Sequence, residues 1–107
     1  MKNLLFICSQ NKLRSPTAEN VFCTYDNLNV RSAGLNHDAE NKISSEDLLW
    51  AEYIFLMEKA QKNKLLKKYK EFIKNQKIIV LNIPDVYDYM DEDLIEELKI
   101  KVKKYLN

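Results

Sequence analysis

The chain has 107 residues, 46% of them hydrophobic, and a formal net charge of +1. That length suits one domain over 1–107 with a core of ordinary density, and so small a charge creates no global field that would argue for nucleic acid. No apolar run reaches membrane-spanning length, no small-residue cleavage site follows the apolar start as a signal peptide would require, and two cysteines make no disulfide framework.

Asn3 to Ile7 reads as the first strand, with Leu4-Leu5-Phe6-Ile7 apolar throughout. A loop from Cys8 to Arg14 follows. Ala18, Val21, Phe22 and Tyr25 then recur at i, i+3, i+4 and i+7, which predicts a helix over Pro16 to Tyr25. Ser15 suits its N-cap and Pro16 its first position. Cys23, one position past Phe22, is expected to be packed or partly buried. Leu28 to Ala33 is the second strand, closed by Gly34, the only glycine. A helix lies between the two strands, so they are expected to be parallel, with a right-handed crossover. A polar loop from Leu35 to Lys42 contains His37, the only histidine, to which no role is given.

Ser44 starts a short helix, with Asp47 in capping-box position and an Ile43–Leu48 staple. Tyr53 to Met57 is continuously apolar, as a central parallel strand buried on both faces would be. A long helix follows, with Leu65, Tyr69, Phe72 and Ile73 on one face and a run of lysines read as a solvated surface. Ile78 to Ile83 is the fourth strand. Asp91 caps the last helix, whose apolar stripe is Leu94, Ile95, Leu98, Val102, Tyr105 and Leu106. The order β-α-β-α-β-α-β-α predicts an α/β fold, a three-layer α/β/α sandwich on a four-stranded parallel sheet.

The chemistry concentrates in Cys8-Ser9-Gln10-Asn11-Lys12-Leu13-Arg14-Ser15-Pro16. A loop entering a helix start offers converging backbone N–H groups to an anion, and the helix dipole adds positive charge. A thiol in such a field is favoured as thiolate. Arg14 offers a planar fork matching two phosphate oxygens. A nucleophile set in an oxyanion cradle beside a fixed guanidinium is what covalent phosphoryl transfer requires. Asn11 tolerates a left-handed backbone if the loop needs one. A reactive thiol also needs reducing surroundings, so the expected compartment is the cytoplasm. There is no His/Cys ligand cluster of the kind that holds a metal, and neither a metal nor any other cofactor is expected.

Cys-x5-Arg-Ser-Pro-x-Ala-Glu behind a first strand resembles the low-molecular-weight protein tyrosine phosphatases. The likeness extends to Asn11, to Val30-Arg31-Ser32-Ala33-Gly34, to Ala51-Glu52-Tyr53-Ile54-Phe55-Leu56-Met57-Glu58 and to Ile83-Pro84-Asp85-Val86-Tyr87, in that family's order. The resemblance implies strand order 2-1-3-4, which places the Cys8 loop at the switch point where ligands bind open α/β sheets. It also implies a metal-independent phosphotyrosine or phosphate-monoester hydrolase. Cys8 would be its nucleophile, with Ser9, Gln10, Asn11, Lys12, Leu13, Arg14 and Ser15 around the phosphate. Asp85 would be the general acid, with Asp88 as the competing choice, and Tyr87 would wall the substrate slot.

The chain departs from the family pattern in several places. Gln10 stands where a glycine is usual, Leu13 where a second loop cysteine is frequent, and Pro84 precedes the acid instead of following it. The implied partners are a phosphorylated protein or small phosphate monoester, with inorganic phosphate as product. Three other readings stay open: a phosphate- or phosphotyrosine-binding module without turnover, an arsenate reductase, and a phosphocarrier with a phosphocysteine.

Overall fold

The computed structural model describes residues 2–106. Its elements run β1 (Lys2–Cys8), α1 (Arg14–Phe22), β2 (Leu28–Gly34), α2 (Ser45–Trp50), β3 (Tyr53–Leu56), α3 (Lys59–Tyr69), β4 (Lys77–Val80) and α4 (Glu92–Lys103), with a short 3₁₀ turn at Lys70–Phe72. The four strands form one sheet in the order β2-β1-β3-β4, and every pairing is parallel. This is the expected order.

The alternation of β1 explains the layers. Leu4, Phe6 and Cys8 face one side, where Ala18 and Phe22 of α1 and Leu94, Leu98 and Val102 of α4 complete a core. Leu5 and Ile7 face the other side, with Leu48 of α2 and Leu65 of α3. Both faces of β1 and β3 are therefore buried, as their unbroken apolar runs predict. Phe6 stacks between Phe22 and Phe55 at ring-centroid distances of 5.5 and 5.1 Å. That stack clamps α1 to the sheet and so sets where the Cys8 loop must close.

Several local expectations change. α1 starts at Arg14, with Leu13 at its N-cap and no side-chain cap; Ser15 lies inside the first turn and turns its hydroxyl elsewhere. α1 also stops at Phe22, so Tyr25 falls beyond it and is exposed. Cys23 is exposed rather than packed, because it forms the C-cap where the helix reaches solvent. β4 ends at Val80 rather than Ile83, since Asn82 takes a left-handed φ of 57° that breaks the extended run. α4 ends at Lys103, yet Tyr105 and Leu106 still pack against the first core.

Ser44 caps α2 by accepting the Asp47 N–H at 3.2 Å, while the Asp47 carboxylate turns to Arg31 at 3.3 Å. Ile43 and Leu48 are both buried in the second core, as the staple requires. Asp91 caps α4, accepting the Asp93 N–H at 2.9 Å. Among the described residues no helix is long and apolar enough to cross a membrane.

Candidate functional site

β1 ends at Cys8, opposite Gly34 of β2. The chain then turns back toward α1, and its carbonyls are tied to the outside of the turn. Leu35 N–H donates to the Cys8 carbonyl at 3.0 Å, Asn36 N–H to Ser9 at 3.0 Å, Glu40 N–H to Gln10 at 3.0 Å, and Thr17 N–H to Leu13 at 3.1 Å. In a trans peptide the next N–H points opposite the carbonyl. The Ser9, Gln10 and Asn11 N–H groups, which follow the first three of these carbonyls, therefore turn away from the β2 side. One of them, on Asn11, donates to Cys8 Sγ at 3.2 Å. Asn11 makes the reversal with a φ of 56°. Gly34 makes room for it: a Cβ there would lie 2.8 Å from the Ser9 carbonyl oxygen and 3.0 Å from the Asn11 nitrogen.

Cys8 and Ser15 are buried, and their Sγ and Oγ atoms lie 2.9 Å apart. Hydrogen counting orients this contact. The Asn11 side-chain NH₂ donates to Ser15 Oγ at 2.8 Å and to Ser32 Oγ at 3.0 Å. Ser32 in turn donates to Glu19 Oε1. Ser15 has a single proton, and a buried hydroxyl needs an acceptor; the sulfur is the acceptor in reach. Asn11 thus donates along two branches, one through Ser32 to Glu19 of α1 and one through Ser15 to Cys8, and the second ends in an O–H aimed at sulfur.

Arg14 is also buried. Its Nη1 donates to the Ile83 carbonyl at 2.9 Å and lies 3.4 Å from Glu58 Oε1. Its Nε lies 3.6 Å from Asp85 Oδ1. The loop after β4 is held to α1 at two further points: Met90 N–H donates to Thr17 Oγ1 at 2.9 Å, and Asn20 donates to the Tyr89 hydroxyl at 2.9 Å. Cys8, Ser9, Gln10, Lys12, Leu13, Arg14 and Asp85 together line a cavity of about 220 Å³. Asp85 therefore shares a cavity with the thiol and Asp88 does not line it. Nor does Tyr87, the expected substrate wall: it is partly buried against the first core. Asn11 and Ser15 sit beneath the cavity floor, supporting it from behind. His37 is exposed. Among the described residues no group of three or more His, Cys, Asp or Glu side chains is placed to hold a metal.

No protein-family model matches the chain, and none of the curated proteins matches it. Solved structures do. A low-molecular-weight protein tyrosine phosphatase from Streptococcus pyogenes, SP-PTP, superposes with a TM-score of 0.79 at 19% identity, over 99% of this chain and 91% of its own. The tyrosine phosphatase Wzb from Escherichia coli K30, in complex with phosphate, gives 0.75 at 19% identity over 97% and 95%. The YwlE arginine phosphatase, as a cysteine-to-serine variant carrying a phosphorylated active-site serine, gives 0.73 at 22% identity over 97% and 95%. The chain has the low-molecular-weight protein tyrosine phosphatase fold.

Within this phosphatase fold, two contributions escaped the sequence reading. Glu58 pairs with Arg14 while it also caps α3, accepting the Gln61 N–H as Gln61 accepts the Glu58 N–H. Gln61 is buried, takes the Met57 and Glu58 N–H groups at 3.0 Å each, and donates to Ser9 Oγ at 3.2 Å. The signal available in sequence was an acid directly after the third strand with Gln three residues on, a capping-box spacing. Ser32 and Glu19 lay inside quoted motifs, but their partnership with Asn11 needed β2 and α1 to meet.

Proposed function

We propose that this chain hydrolyses phosphate monoesters, phosphotyrosine among them, through a phosphocysteine on Cys8. The observation that carries the reading is the Cys8 sulfur set among an inward N–H and a donated hydroxyl, with Arg14 and Asp85 in the same cavity. Cys8 thiolate attacks phosphorus, the bond to the leaving oxygen breaks, and Asp85 gives that oxygen a proton. The N–H groups of Ser9 to Ser15 and the Arg14 guanidinium receive the equatorial oxygens. Water then attacks phosphorus with Asp85 taking its proton, and inorganic phosphate leaves as Cys8 returns to thiolate. The phosphorylated active-site serine of the YwlE variant supports a covalent intermediate at the corresponding place. Asp85 is favoured over Asp88 because it faces the cavity. The free, buried Cys8 supports a reducing, cytoplasmic setting.

A second reading is a phosphate-binding module without turnover. It is favoured by the Asp85 side chain, which is 63% exposed and tied to the site by one ion pair. An arsenate reductase would need thiols to relay electrons, and the second cysteine, Cys23, lies exposed at the far end of α1 from the loop. A phosphocarrier would have no use for Arg14 and an acid beside its cysteine.

The test is phosphate release from p-nitrophenyl phosphate, phosphotyrosine and phosphoarginine by wild type, Cys8→Ser and Asp85→Asn. Turnover by wild type that Cys8→Ser abolishes and Asp85→Asn reduces about 10²-fold or more is expected. Absence of turnover, with phosphate or vanadate still raising the Tm, would replace hydrolysis by binding. Turnover of phosphoarginine alone would exclude the ester substrate.

A further inference from the structure

Building on the hydrolase reading, we propose that Lys12 selects substrates carrying a second negative charge beside the phosphoryl group. The charges lining the cavity are unevenly satisfied. Arg14, the buried cation, already faces Glu58 and Asp85 at 3.4 and 3.6 Å. Lys12 lines the same cavity and is exposed. Among the described residues its side chain takes part in no ion pair and no hydrogen bond, unlike Lys64, which donates to Asn36 at 2.7 Å. It is thus the cation at the mouth that an incoming anion meets without first displacing a carboxylate.

Nothing aromatic competes for the substrate there. No aromatic side chain lines the cavity, Tyr87 is packed on the core, and the Tyr89 hydroxyl is engaged by Asn20. A ring-bearing leaving group finds no stacking wall, whereas a carboxylate or second phosphate finds an ammonium on a flexible four-carbon stem. The backbone fixes where that stem begins. Lys12 follows the left-handed Asn11, whose amide is bonded to buried Ser15 and Ser32, so its Cα cannot drift from the rim. The substrate class this favours is an acidic phosphopeptide or another phosphomonoester with a neighbouring anion.

The experiment compares kcat/KM on two phosphotyrosine pentapeptides, one with Glu on both sides of the phosphotyrosine and one with Gln. Wild type is expected to prefer the Glu peptide roughly three- to fivefold at low ionic strength, the yield of an exposed ion pair. The preference should fall toward one in concentrated salt. Lys12→Met should remove the preference and Lys12→Glu should reverse it. The ratio between peptides is the readout, because a general loosening of the loop would slow both alike. Equal rates in wild type, or an unchanged ratio in Lys12→Met, would overturn the proposal. If wild type turns over neither the peptides nor p-nitrophenyl phosphate, the hydrolase reading falls by itself. The ratio of Kd values for the same two peptides in wild type and Lys12→Met then decides the role of Lys12.

Discussion

The hydroxyl of Ser15 lies 2.9 Å from the sulfur of Cys8 in the buried floor of the loop. Seven positions apart in sequence, the two are joined because α1 begins early enough to place Ser15 in its first turn. Ser15→Ala would remove the donor to sulfur and leave one N–H of Asn11 without its acceptor. A buried donor left unpaired costs about 2 kcal/mol, so the Tm should fall. Turnover should fall about tenfold for each ~1.4 kcal/mol of lost transition-state stabilisation. Thermal melts and steady-state kinetics on one preparation check both parts.

Gly34 is expected to be intolerant for steric reasons. A Cβ at this position would come within 2.5 Å of the Ala39 Cβ, 2.8 Å of the Ser9 carbonyl oxygen and 3.0 Å of the Asn11 nitrogen. Gly34 has no positive φ, so the conflict is one of space alone. Two of those atoms belong to the Cys8–Arg14 loop, so that loop must yield along with the segment carrying Ala39. Gly34→Ala should destabilise the fold by about 1–3 kcal/mol, the usual cost of overpacking, and should weaken vanadate binding more than a core substitution of equal cost. Calorimetry with and without vanadate separates the two effects.

Glu58 is expected to temper the charge of Arg14. Its Oε1 lies 3.4 Å from the guanidinium, and the Glu58 side chain is 43% exposed, so solvent screens part of the interaction. Glu58→Gln keeps a side-chain oxygen for the Gln61 N–H and so preserves the α3 cap. It removes one of two negative charges that compete with phosphate. Inorganic phosphate should then bind about threefold more tightly, the scale of a half-exposed ion pair. Titration calorimetry with phosphate reads this directly; weaker binding would mean that Glu58 chiefly aims Arg14.

Much of the fold was legible from local pattern. The apolar runs of β1 and β3, the caps at Ser44 and Asp91, and Leu94, Leu98 and Val102 of the α4 stripe are short-range features that fell where their chemistry placed them, while Ile95 stays outside the core. The place of the loop was legible too, between the first strand and the first helix, although Cys8 closes β1 and Arg14 opens α1, so the connection is shorter than the seven residues expected. Boundaries were less so. Ser15 has the composition of an N-cap, but a buried sulfur took its hydroxyl, and Leu13 became the cap instead.

By itself, then, the sequence determined the element order, the parallel sheet, and Cys8 and Arg14 at the two ends of one connection, since periodicity and spacing along a chain are local quantities. Only the tertiary structure decided which carboxylates meet Arg14, that Asp85 rather than Asp88 lines the cavity, and that Tyr87 turns to the core. Those outcomes join residues 44 and 71 positions apart (Arg14 to Glu58 and to Asp85). Such contacts depend on how β1, β3 and the loop after β4 pack side by side, and no spacing within one segment encodes them.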